Sequence, residues 1–173
     1  MDYFEIEGKN QLFGDITVSG AKNAVLPLMA ASILNDRPLT ISNVPKLSDS
    51  LTMGNLIKEM GGKVSFDQSN ITINPKNLNT PYAPYKLVKT MRASFYVLGP
   101  LIAKFGEAKV SLPGGCAWGP RPVDFHLEGL KKLGVEIALE AGYVVAKAKK
   151  MIGNKIVFPK ISVGATGNVL MAA

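Results

Sequence analysis

The chain resembles itself at a spacing of about 70 residues, and this repeat limits its fold more than any single motif does. The apolar run A-V-L-P-L-M-A-A around Pro27 is answered by V-L-G-P-L-I-A-K around Pro100. Leu39-Thr40-Ile41 is answered by Val110-Ser111-Leu112, and Met60-Gly61 by Leu133-Gly134. Leu28-Met29-Ala30-Ala31 returns once more as Leu170-Met171-Ala172-Ala173. Such a period is longer than the common solenoid units and predicts a pseudo-symmetric α/β domain of repeated βα units.

Each copy follows one grammar. An apolar helix comes first, over 24–34 and again over 93–103; neither has a polar face, so each is expected to be buried on all sides. Pro27 and Pro100 fall inside these runs and should either kink the helix or mark a late start. A short alternating strand follows, then a loop, then an amphipathic helix (50–60 and 122–133) stopped by Gly61 or Gly134. Two short strands then form a hairpin, 63–66 with 71–73 and 135–139 with 143–146. The third copy stops inside its apolar helix. That predicts either a piece of a longer chain or a short chain that completes itself by dimerising.

Composition narrows the class. At 47% hydrophobic over 173 residues, the chain can bury one sizeable core. No apolar run reaches the roughly 18 residues of a membrane span, and MDYFEIEGKN has no apolar signal region. One cysteine cannot form an internal disulfide, which fits a reducing cytoplasm. The net charge of +7 suits a lysine-rich soluble surface or an anionic substrate. Its densest run, at 147–150, lacks interleaved aromatics, which argues against a nucleic-acid surface.

The two copies differ most in one loop. The stretch from Leu112 to Gly134 is two residues longer than that from Ile41 to Gly61, and the extra length lies in G-G-C-A-W-G at 114–119. A lone cysteine is most often a small buried hydrophobe. Cys116, however, is flanked by Gly114, Gly115, Gly119 and Pro120 with Arg121 nearby, a setting that favours a reactive thiol. Pro122 suits the first position of a helix whose N–H groups, with Arg121, attract anions; a plain capped start is the alternative. Lys22 and Asn23, Lys89 and Arg92, and Lys160 and Ser162 sit at the starts of the three apolar helices. Either these positions only cap helices, or three positive helix ends converge on one anionic ligand. His126 reads as structural or as a rim residue. No lysine sits in a P-loop frame, and no Ser/His/Asp or multi-Cys/His spacing is present.

Together S-G-A-K-N at 19–23, K-T-M-R-A-S at 89–94, L-P-G-G-C-A at 112–117, R-P-V-D at 121–124 and S-V-G-A-T at 162–166 resemble the UDP-N-acetylglucosamine 1-carboxyvinyltransferases, a group of enolpyruvyl transferases. The resemblance covers the whole chain but only about the N-terminal two-fifths of a typical member. It implies an inside-out α/β barrel-like domain with buried helices, incomplete at its C-terminus. Segment 1–19 would be a strand joining the second domain. Residues 20–173 would be the repeat domain, with units at about 20–88 and 89–160 and the start of a third.

The implied reaction moves the enolpyruvyl group of phosphoenolpyruvate to the 3-hydroxyl of UDP-N-acetylglucosamine and releases phosphate, the first committed step of peptidoglycan synthesis in the cytoplasm. Cys116 would be the catalytic proton donor. Lys22, Asn23 and Arg121 would bind phosphoenolpyruvate. Arg92, Arg121, Pro122, Val123, Asp124, Phe125, Lys160, Ile161, Ser162, Val163 and Gly164 would bind the nucleotide sugar. No metal or cofactor is implied, and the partners would be the two substrates and the missing C-terminal part of the chain, with no nucleic acid and no membrane. Trp118, Pro120, Phe125 and Tyr96 depart from the residues usual in that group. A related transferase acting on shikimate 3-phosphate and a non-catalytic fragment are the competing readings.

Overall fold

The computed structural model of the protein describes residues 3–113 and 123–173. Elements in chain order are α1 (Lys22–Ala31), β1 (Leu39–Ile41), α2 (Ser48–Glu59), β2 (Lys63–Asp67), β3 (Asn70–Asn74), β4 (Tyr82–Ala83) and α3 (Tyr85–Val88). Then follow α4 (Leu98–Phe105), β5 (Glu107–Ser111), α5 (Asp124–Lys132), β6 (Glu136–Glu140), β7 (Tyr143–Lys147) and α6 (Val163–Ala172). Short 3-10 turns extend α1 at Ser32–Leu34 and precede α4 at Arg92–Val97.

The repeat is visible in the sheets. One has the order β1-β3-β2 and the other β5-β7-β6, both antiparallel within these strands, with β4 added parallel to β5. Ile73 pairs with Leu39 and Val64, and Ile71 with Ile41 and Phe66. Val144 pairs with Val110 and Leu139, and Ala146 with Ala108 and Ile137. The alternation of the sequence therefore turns Ile71, Ile73, Val110, Val144 and Ala146 inward, where all are fully buried. Tyr82 on β4 stacks on Tyr143 of β7, and their hydroxyls lie 3.1 Å apart. The turn between β6 and β7 has Ala141 and Gly142 at positive φ, the backbone a two-residue hairpin loop requires.

Both amphipathic helices end as their glycines dictate. Gly61 follows α2 at φ 99° and Gly134 follows α5 at φ 86°, in the left-handed half of conformational space. The apolar helices need correction. In α4, the whole run from Leu98 to Ile102 is buried, and Pro100, at its third position, belongs to a late start after the 3-10 turn. Helix α1, by contrast, carries Pro27 in its interior and is not buried all round: Leu28 is half exposed. Its Val25, Leu26, Met29 and Ala30 face α2 and the Arg92–Val97 turn, and no described element covers the opposite side. Residues 3–21 form neither helix nor strand, and the side chains of Tyr3, Phe4, Leu12, Phe13 and Ile16 are exposed. No helix among the described residues is long and apolar enough to cross a membrane.

Candidate active site

Helix α4 packs against α6, α5 packs against α6, and α1 packs against the turn that precedes α4. This arrangement brings the starts of α1, of the Arg92–Val97 turn and of α6 to one cavity of about 580 Å³. Lys22 and Asn23 enter from α1 and Arg92 from its turn. Ile161 and Ser162 enter from just before α6, Val163 and Gly164 from its first turn, and Val123 from the residue before α5. Eight of the positions singled out in the sequence thus share one wall.

The others are placed differently. Asp124 opens α5 and Lys160 lies exposed before α6, both outside the residues that line the cavity. Phe125 instead packs its ring against Phe158, with centroids 5.9 Å apart. Cys116, Arg121, Pro122, Trp118 and Pro120 lie outside the described residues.

The cavity is cationic and rich in unpaired backbone donors. The first N–H groups of a helix have no partner within it and favour anions. At α6 the Ser162 hydroxyl accepts the Ala165 N–H at 3.2 Å, which caps one of these donors and leaves those of Val163 and Gly164 beside the cavity. Lys22 is held by a carboxylate that the sequence reading passed over: Asp49, in the first turn of α2, lies 2.9 Å from Nζ. The signal was present in S-D-S at 48–50, an acid at a helix start, but nothing in the sequence tied it to Lys22.

Two titratable rings line the same space. Burial raises the Tyr96 phenol above its usual pKa, and Arg92 opposes that shift. Burial, then the Arg92 charge, push His126 down to about 4 against the pull of Asp124, so the imidazole is neutral at physiological pH. Its Nδ1 lies 3.0 Å from Nδ2 of Asn168, a buried amide in the middle of α6 that also went unnoticed in the sequence. Among the described residues no group of three or more His, Cys, Asp or Glu side chains could hold a metal ion. What the arrangement can do is bind an anion with fixed charges and helix ends while excluding water on one side.

Comparison with known proteins bears on this geometry. Residues 6–173 match the EPSP synthase (3-phosphoshikimate 1-carboxyvinyltransferase) family. The chain belongs to that family. Within it, the chain is 51% identical over its whole length to a UDP-N-acetylglucosamine 1-carboxyvinyltransferase of Hydrogenovibrio crunogenus, covering 42% of that protein. It is 52% identical, again over its whole length, to the protein of the same name from Psychrobacter arcticus, and covers 42% of it. The chain therefore spans about two-fifths of the length of these curated relatives.

Solved structures agree on the fold. The enolpyruvyl transferase NikO from Streptomyces tendae superposes with a TM-score of 0.71 at 24% identity, over 83% of this chain and 32% of its own. EPSP synthase from Acinetobacter baumannii superposes with a TM-score of 0.67 at 19% identity, over 92% of this chain and 37% of its own. The family's α/β architecture is thus shared, and the chain's curated relatives carry the name of an enolpyruvyl (carboxyvinyl) transferase.

Proposed function

We propose that the protein of which this chain is part transfers the enolpyruvyl group of phosphoenolpyruvate to the 3-hydroxyl of UDP-N-acetylglucosamine. The observation that carries this reading is identity above 50% along the entire chain to relatives of that name. The cavity supports it, because both substrates are anionic and the starts of α1, of the Arg92–Val97 turn and of α6 bring Lys22, Arg92 and backbone donors to one space.

In this reading Cys116 protonates C3 of phosphoenolpyruvate, which makes C2 electrophilic. The sugar hydroxyl adds to C2 and gives a tetrahedral intermediate. Loss of the phosphate and of a proton from the new methyl group then restores the double bond. Lys22, Asn23 and Arg121 hold phosphoenolpyruvate, and fixed cations stabilise the charge that builds on the leaving phosphate. Arg92, Arg121, Pro122, Val123, Asp124, Phe125, Lys160, Ile161, Ser162, Val163 and Gly164 are assigned to the nucleotide sugar. Segment 1–19 is read as joining a second domain, and 20–173 as the repeat domain. The setting would be cytoplasmic peptidoglycan synthesis.

The test uses the protein at the full length of its relatives. Phosphate release is expected with phosphoenolpyruvate and UDP-N-acetylglucosamine together, and none when shikimate 3-phosphate replaces the nucleotide sugar. The opposite preference would overturn the assignment. Mass spectrometry after an epoxide electrophile is expected to find Cys116 modified; an unmodified Cys116 removes it from the proposed role.

A further inference from the structure

Asn168 sits in the middle of an apolar helix and is completely buried. Its Oδ1 accepts the Gly99 N–H at 2.6 Å, and its Nδ2 donates to the Phe95 carbonyl at 3.0 Å. Those are the donor and the acceptor that an uninterrupted α-helix would join to each other. They flank the place where the 3-10 turn Arg92–Val97 becomes α4. Gly99 allows this approach, because a Cβ there would collide with the Asn168 backbone carbonyl. The contact fixes which end of the amide is which: an N–H must face oxygen and a carbonyl must face NH₂.

One consequence reaches the cavity. The second hydrogen on Nδ2 points to His126 Nδ1, 3.0 Å away, so Nδ1 accepts and the ring proton resides on Nε2. Phe95 meets the ring edge-on at 5.2 Å and helps to hold its plane. His126 is only 6% exposed, yet it lines the cavity. Its Nε2 edge lies against Gly164, where an added Cβ would sit 3.1 Å from Nε2. Among the described residues the hydrogen bond found for the ring is the one at Nδ1, and none is found at Nε2. An N–H donor on a mostly buried ring thus stands beside the N–H groups at the start of α6, with Arg92 in the same wall.

We propose that His126 binds a phosphate oxygen of the substrate through Nε2–H, and that Asn168 is the positioning residue that fixes this tautomer. The proposal deepens the functional reading above and rests on it for the identity of the phosphate. A donor that stays neutral binds such an oxygen without adding a charge that product release would have to overcome. Phosphoenolpyruvate and the diphosphate of the nucleotide sugar both carry the required oxygen, and the experiment separates them.

The protein at the full length of its relatives would be labelled with [15N]histidine, and the His126 resonances assigned by their loss in His126→Gln. Long-range ¹H–¹⁵N spectra are expected to show the Nε2–H tautomer in the free protein. Asn168→Asp, whose carboxylate can only accept, is expected to shift the proton to Nδ1. Inorganic phosphate, phosphoenolpyruvate and UDP-N-acetylglucosamine are then titrated separately, and whichever moves the Nε2–H resonance names the source. In turnover, His126→Leu is expected to lower kcat/KM by about 10- to 100-fold, with His126→Gln recovering most of the loss through its own N–H. An Nδ1–H tautomer in the wild-type protein, or an Nε2 resonance unmoved by all three probes, overturns the proposal. Absence of enolpyruvyl transfer in the wild-type protein would instead overturn the functional reading, because the tautomer and the shift are read without turnover.

Discussion

The hydroxyl of Ser94 is fully buried and has no hydrogen-bond partner among the described residues. A buried unsatisfied hydroxyl costs about 1–3 kcal/mol, so Ser94→Ala is expected to leave stability unchanged or raise it by about 1 kcal/mol. Urea denaturation measures this directly, and a loss above about 1 kcal/mol would show that Oγ has a partner after all. His126 has the opposite character, since its neutral state is built into the fold. With its folded pKa at about 4 rather than 6.5, the unfolded chain takes up a proton between those values that the folded chain refuses. Stability therefore falls as pH drops through that window and levels off below it, for a total of about 3 kcal/mol. Denaturation of the wild-type protein and of His126→Gln at pH 7, 5 and 4 checks this. An equal pH slope in both would assign the effect to other groups.

At the scale of elements, the junction of the Arg92–Val97 turn, α4 and α6 is held by close approach. Gly99→Ala would drive a methyl group into the Asn168 carbonyl and is expected to destabilise the protein by about 1–3 kcal/mol, read as a lower urea midpoint. A midpoint within error of wild type would show that α6 can move away freely. The contact between α1 and α2 through Lys22 and Asp49 is weaker, because the Lys22 side chain is 48% exposed. A double-mutant cycle with Lys22→Met and Asp49→Asn should give a coupling below about 1 kcal/mol.

These elements also show what a sequence can reveal. The repeat, the strand alternation and the glycine stops each depend on neighbours within one segment, so β1 to β3, β5 to β7, α2 and α5 were legible to within a few residues. The two residues of β4 and the four of α3 were not, because nothing periodic fits in so short a run. The convergence of Lys22, Arg92 and Ser162 was legible through the repeat. The links from Asn168 to Gly99 and His126 were not, since they join residues far apart in the chain. Their only local trace is one asparagine in an otherwise apolar run.

For the whole molecule, the decisive quantity is apolar surface left open. Tyr3, Phe4, Ile6, Leu12, Phe13, Ile16 and Val18 are each at least 79% exposed, and Leu28 and Leu170 add apolar area on α1 and α6. Monomeric proteins seldom tolerate contiguous apolar patches beyond a few hundred Å². The relatives carry more than twice this length, which is enough chain to cover such faces. Residues 1–173 studied alone are therefore expected to self-associate with rising concentration in sedimentation velocity and to bind a hydrophobic dye. The same sequence at the relatives' full length should do neither at equal concentration. On the proposed function, phosphate release from phosphoenolpyruvate and UDP-N-acetylglucosamine by residues 1–173 alone is expected to stay at background. If the 173-residue chain stays monomeric, excludes the dye and turns over, its exposed side chains must be covered by rearrangement within the chain itself.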